Sequence, residues 1–361
     1  MLTHVFKRLL SNSAPHSKTL KLVLLAIFLG LASAPFITSG ARPLNTAATI
    51  CVYIILVGSY DLLLGYTGIV SFAHTMFFGI GAYGVAFGLQ GEQATWSGLL
   101  VGLFLAILLA FALAFIIGLF ALRVRAIFYS MITLAVASSF SVLASQLSDW
   151  TGGEDGKTFS VPELLSSSFE LFAEPILGRH VDGKVICYYL VFICALLLFL
   201  LMLRIVHSPF GRTLQALREN DFRAEAIGYK TVYYRIAANC IAAVIACLAG
   251  ALMALWLKYV GPKTMLSFEV MTDILLIVVI GGMGSLYGSV IGATLFLILQ
   301  NYLKNLMAQA NESLVDLPLL AQIFHPDRWL FWLGILFVLS VYFFPSGIVG
   351  KLNRARPRKE A

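Results

Sequence analysis

Apolar positions in this chain gather into long runs, at about 22–37, 44–64, 66–89, 97–122, 126–147, 185–203, 236–257, 270–282, 286–303 and 329–349. Several reach the ~20 residues that an α-helix needs to cross a bilayer core. The pattern predicts an all-α, polytopic integral membrane protein of about ten transmembrane helices, some of them broken by glycine. One break, Gly281-Gly282-Met283-Gly284, leaves two readings open for 270–303: two spans, or a re-entrant segment.

Composition agrees. Of 361 residues 60% are hydrophobic and 12% charged, about half the charged share of a soluble domain. The largest pieces outside the runs, 148–184 and 204–235, are too short to fold a catalytic domain of their own. Any chemistry that powers the protein is therefore expected from a partner.

Charge then orients the runs. The net charge of +7 comes from basic residues gathered in segments 1–21, 204–235 and 351–361, as expected of cytoplasmic flanks and not of a nucleic-acid surface. Loop 148–184 carries seven acids against three bases, whereas 204–235 carries six bases against three acids. Both biases fit ten crossings with both termini cytoplasmic. The resulting division is a basic N-terminal segment (1–21), a transmembrane domain (22–350) and a basic tail (351–361). Ala32-Ser33-Ala34 resembles a signal-peptidase site, but the long basic leader and the later spans favour an uncleaved first helix. The five cysteines, Cys51, Cys187, Cys194, Cys240 and Cys247, lie in or beside apolar runs without metal-site spacing, so no metal is expected.

The stretch TGGEDGKT (151–158) looks like a phosphate loop short of one residue. Glu154 and Asp155 would repel phosphate, no strand–helix context surrounds it, and the charge bias puts it outside. Its glycines are better read as turn-makers, with Thr151, Gly152, Gly153 and Asp155 at an exposed extracytoplasmic mouth. A docking or receiving role and a plain structural turn both remain open.

Segment 208–236 lies inside. Arg218–Ile227 has helical propensity and amphipathic charge, and Gly228 fits a C-cap. It is either a short helix that docks into a groove on a soluble partner or a solvated loop. The glycine-broken stretches 65–84 and 281–293 stand in opposite halves of the chain, an arrangement that marks substrate paths in transporters. Gly65, Gly68, Ser71, His74, Gly281, Gly282 and Gly284 are the path candidates, with tight helix packing as the alternative. Among ionisable residues in the runs, His74 suits a packing role better than a relay. Asp61 and Asp273 fall near predicted span ends, where hydration is expected.

Taken together, GYTGIVSFAHTMFFGIGAYG, TGGEDG, the 208–236 segment, GGMGSLYGSVIGA and WLGILFVLSVYFFPSGIVG occur in an order that resembles the M-type permease subunits of branched-chain amino acid ABC importers. The resemblance covers about residues 44–350. It implies a cobalamin-type importer architecture in a bacterial inner membrane. It further implies an H-type sister permease, two cytoplasmic ATPases that bind ATP and Mg, and a periplasmic binding protein, with no catalytic residue or cofactor on this chain. By the same resemblance, Arg218 and Ala224-Glu225-Ala226-Ile227-Gly228 belong to the segment received by the ATPase. Asp61 stands where relatives often have Asn, and Lys157 where Leu commonly follows. Related permeases carry urea or short amides, which stays as an alternative cargo. A self-sufficient secondary transporter is the rival from another class.

Overall fold

The computed structural model describes residues 17–37, 40–90, 94–121, 126–166, 169, 182–313, 325, 328–344 and 346–354. Most of the basic N-terminal segment, positions 167–168 and 170–181 of the long acidic loop, and the tail beyond 354 lie outside the described residues.

Among the described residues, nine helical stretches are long and apolar enough to cross a membrane. They are α1 (Lys18–Ile37), α2 (Ala41–Thr67), α4 (Trp96–Ala121), α5 (Ala126–Gln146), α7 (Gly183–His207), α10 (Thr231–Leu257), the pair α11 (Pro262–Met265) and α12 (Phe268–Gly281), α13 (Leu286–Ser313), and the pair α14 (Trp329–Phe343) and α15 (Gly347–Arg354). The tenth expected run, 66–89, is helical only as α3 (His74–Gly88). Its 15 residues extend ~22 Å at 1.5 Å each, short of a ~30 Å core. Ahead of α3, Gly68 takes a left-handed conformation (φ 73°) that ends α2, and the chain is irregular to Ala73.

Irregular backbone inside a membrane bundle must find partners within the protein. Here α5 supplies them. Ser130 Oγ donates to the Val70 carbonyl at 2.9 Å, and the Phe72 N–H donates to Thr133 Oγ1 at 3.0 Å. A second polar chain runs onward from α5, where the Tyr129 hydroxyl donates to Asn239 Oδ1 at 3.2 Å and Asn239 Nδ2 donates to the Ala114 carbonyl at 2.8 Å.

The core is built around α2 and α10, whose most apolar stretches are 89% and 72% buried, against 11% for α1. Small residues explain the position of α10. Ala238, Ala242, Ala246, Ala249 and Gly250 let neighbours approach closely. A Cβ added to Gly250 would overlap the Phe78 carbonyl, and one added to Gly81 the Cys247 carbonyl, so α3 and α10 touch backbone to backbone. By contrast α4 and α5 leave broad apolar faces exposed, including Leu100, Phe104, Ile127 and Met131. Such faces suit lipid.

Segment 270–303 forms two helices, α12 and α13, which pack on each other across the glycine turn. The Arg218–Ile227 stretch, expected as one helix, is divided. α8 (Pro209–Glu219) ends and α9 (Asp221–Ala226) begins at Asn220, whose side chain accepts the Arg223 N–H. One feature departs from an all-helical expectation. β1 (Lys157–Thr158) pairs antiparallel with β2 (Tyr259–Val260), tying the loop after α6 (Ser148–Thr151) to the end of α10.

Proline explains the seat of α1. Pro35 has no N–H, so the Leu31 carbonyl lacks its i+4 donor. The Tyr188 hydroxyl on α7 donates to that oxygen at 2.6 Å, and the Tyr189 hydroxyl donates to the Ala32 carbonyl at 2.9 Å. Replacing Tyr188 with Phe should cost about 1–2 kcal/mol, read as a lower thermal midpoint of the purified chain. In a Pro35→Ala background, where an N–H can return to Leu31, the same change should cost measurably less. Equal costs in both backgrounds would contradict this assignment.

Candidate functional site

The two glycine-broken stretches meet at one end of the bundle. On α2, Asp61 and Gly65 are four residues apart and share a helix face. Asp61 is 1% exposed, not hydrated at a span end as its sequence position suggested. Its Oδ1 accepts the Gly284 N–H at 2.8 Å, from the turn between α12 and α13. Gly65 leaves room for this contact, because a Cβ there would fall on the Asp61 carboxylate and the Gly284 amide. The turn itself needs glycine, with φ of 112° at Gly282 and 81° at Gly284. Behind it, Gly282 packs against Ser346 and Gly347 at the start of α15.

Arg218 joins this cluster from α8. Its Nη1 donates to the Gly65 carbonyl, an acceptor freed by the end of α2, and its charge acts on Asp61. The segment bearing Arg218 thus touches the break in α2 and the turn between α12 and α13 together. Beside it lies a cavity of about 490 Å³ lined by residues that include Tyr66, His207, Arg212 and Gln215.

The rest of the segment is anchored toward α10. Asp221 Oδ2 pairs with Arg235 at 2.5 Å, and the Thr231 hydroxyl donates to Glu225 Oε1 at 2.8 Å. Ala224 is buried, whereas Ala226, Ile227 and Gly228 are exposed. Gly228 (φ 97°) closes α9 with a Schellman pair, its N–H donating to the Glu225 carbonyl at 2.9 Å and the Tyr229 N–H to the Ala224 carbonyl at 3.1 Å. What sequence reasoning missed is the apolar character of this surface. Phe222 is 86% exposed, Ile227 77% and Tyr233 67%. An aromatic at Phe222 amid charges was the available signal, and it reads as a docking anchor only once α9 is seen to face outward.

The remaining path candidates differ in their settings: Gly68 and Ser71 lie in the irregular stretch after α2, and His74 begins α3. Ser71, His74, Gly281 and Gly282 are buried, Gly68 is exposed and Gly284 half-buried. Ser59 donates to the Leu56 carbonyl at 2.7 Å, so in the 2.8 Å contact between Ser59 Oγ and His74 Nε2 the histidine is the donor. With Tyr60 edge-on at 5.2 Å, His74 is held as a packing residue.

The TGGEDGKT stretch lies at the other end of α10, the length of that helix away. Asp155 and Glu154 are exposed, Gly152 is half-buried, and Gly153 and Thr151 are buried. Thr151 was expected at an exposed mouth. Instead its hydroxyl turns back to the Ala144 and Leu147 carbonyls at 2.5 and 2.7 Å, closing the end of α5. The Tyr259 hydroxyl donates to the Asp155 carbonyl at 2.8 Å, and Lys263 lies 3.6 Å from Glu154.

Among the described residues the chain is a multi-pass helical bundle in which α8 reaches the break in α2 beside the turn between α12 and α13. The chain belongs to the family described as the permease component of the branched-chain amino acid transport system, which matches residues 42–341. Similar proteins include the high-affinity branched-chain amino acid transport system permease protein LivM of Salmonella typhimurium, 28% identical over 85% of this chain and 74% of that one. The LivM protein of Escherichia coli K12 is likewise 28% identical over 85% of this chain and 74% of its own length. A probable LivM permease of Methanocaldococcus jannaschii is 26% identical over 82% of this chain and 90% of that one. These relatives are transport permease components, not enzymes. No solved structure matches the chain significantly.

The Asp61 contact makes a prediction. Asp61→Ala leaves the half-buried Gly284 N–H without this partner, at a cost of about 1–3 kcal/mol, whereas Asp61→Asn keeps an acceptor and should stay close to wild type. Thermal unfolding of the two variants in detergent checks this. Indistinguishable midpoints would show that the carboxylate oxygen does not hold the turn.

Proposed function

We propose that the chain is the transmembrane subunit of an ATP-driven importer that brings branched-chain amino acids across a bacterial inner membrane by alternating access. The partners in this reading are an H-type sister permease, two cytoplasmic ATPases and a periplasmic binding protein. ATP and Mg bind to the ATPases. Both termini, α8 and α9 lie on the cytoplasmic side, and TGGEDGKT faces the periplasm. The helical arrangement is that of the cobalamin-type importers.

The observation that carries the reading is the grip of Arg218 on Gly65 beside the Asp61–Gly284 contact. A push on α8 and α9 by an ATPase would reach the end of α2 and the turn between α12 and α13 in one step. Phe222 and Ile227 would supply the apolar contact, with the ATPase groove closing over them. Family membership supports the cargo class.

Gly228→Pro tests the coupling. Proline fixes φ near −65°, which the 97° at Gly228 cannot accept. In proteoliposomes of the assembled transporter, the variant should insert and assemble normally but lose most ATP-dependent leucine uptake while ATP hydrolysis continues. Normal uptake in the variant sinks the coupling assignment. Uptake by the purified chain alone, without ATP, would instead establish a secondary carrier, and ATP-driven uptake of urea but not leucine would reassign the cargo.

A further inference from the structure

Acids within membrane helices are costly and mark sites of function. On the spans, Asp61 is enclosed by its own bundle, but Asp273 on α12 is not. It opens into a cavity of about 730 Å³ at the end of the bundle away from Arg218, between the first half of α2, α12 and the second half of α13. That volume lies within the ~300–1,000 Å³ usual for small-ligand sites.

The walls are polar where lipid contact would require apolar ones. Arg42, Asn45 and Tyr53 come from α2, Asp273 from α12, and Gln300 and Asn305 from α13. Other polar groups in the same wall are already committed to their own helices. Thr46 and Thr49 donate to the Arg42 and Asn45 carbonyls at 3.1 and 2.9 Å, and Asn301 donates to the Leu297 carbonyl at 2.9 Å. Gln300 Nε2 steadies one oxygen of Asp273 at 3.4 Å. The second carboxylate oxygen, the Arg42 guanidinium and the amides of Asn45 and Asn305 are left for a guest.

One carboxylate, one guanidinium and neutral amides line the same cavity, a set of groups that complements a molecule with one ammonium, one carboxylate and no other charge. We propose that this cavity is a receiving site for the zwitterionic head of an α-amino acid, Asp273 taking the ammonium and Arg42 the carboxylate. The inference rests on the transport reading above and deepens it. An open, hydrated site of this kind gives weak binding, which suits a step that must release its cargo onward.

The test uses membrane vesicles carrying the complete transporter and radiolabelled leucine. Asp273→Asn and Arg42→Gln should each lower uptake about tenfold or more, the scale of one lost charge-assisted contact, and Asp273→Glu should recover part of it. A second measurement does not depend on those variants folding. In an Asn305→Cys chain, leucine should slow modification by a charged methanethiosulfonate reagent. Isocaproate, which lacks the ammonium, and isoamylamine, which lacks the carboxylate, should not. Absence of leucine uptake by wild-type vesicles overturns the transport reading and this inference with it. Wild-type uptake that both charge-removing variants leave within about twofold overturns the inference alone, as does protection by all three compounds or by none.

Discussion

Water is absent from a bilayer core, so every break in a helix there must be closed by another part of the chain. That single requirement organises this protein. The irregular stretch after α2 is closed by hydroxyls of α5, the carbonyl opened by Pro35 by a tyrosine of α7, and the turn between α12 and α13 by a carboxylate of α2. Each closure joins helices far apart in sequence, and so each break becomes a joint between elements. The membrane thus converts a local defect into a tertiary contact.

Arg218 has the same character but comes from outside the spans. It closes the freed Gly65 carbonyl with a side chain carried on α8. An arginine suits the task because it is permanently charged and holds a fixed donor geometry. Its neighbours on α9 are pinned to α10 by Arg235 and Thr231. The segment that carries the exposed Phe222 and Ile227 is therefore tied to both α2 and α10, two helices at the centre of the core.

Much of this was legible in the sequence. Long apolar runs located the spans because burial in lipid needs length and composition, and both are local properties. Gly228 was legible as a helix end because a left-handed residue after a short amphipathic run is a local requirement. The burial of Asp61 was not legible, since its partner Gly284 lies 223 residues away and nothing local distinguishes a sealed acid from a hydrated one. Thr151 was misplaced for a similar reason: a threonine at a helix end can face solvent or fold back on its own carbonyls, and only the backbone geometry decides. The two-residue strands were too short to leave a pattern, and the helix break at Asn220 was concealed by amphipathic charge that continues across it.

The ladder between β1 and β2 has a mechanical consequence. α5 exposes much of its surface and looks free to move. Yet it is stapled to α10 near its start through Tyr129 and Asn239, and beyond its end through the strand pair. Two ties a helix-length apart restrain sliding and pivoting between the pair. α5 is thus joined to α10 at both of its ends, although few other contacts pass between the two helices, and the second join runs through the glycine turn Gly152–Gly156.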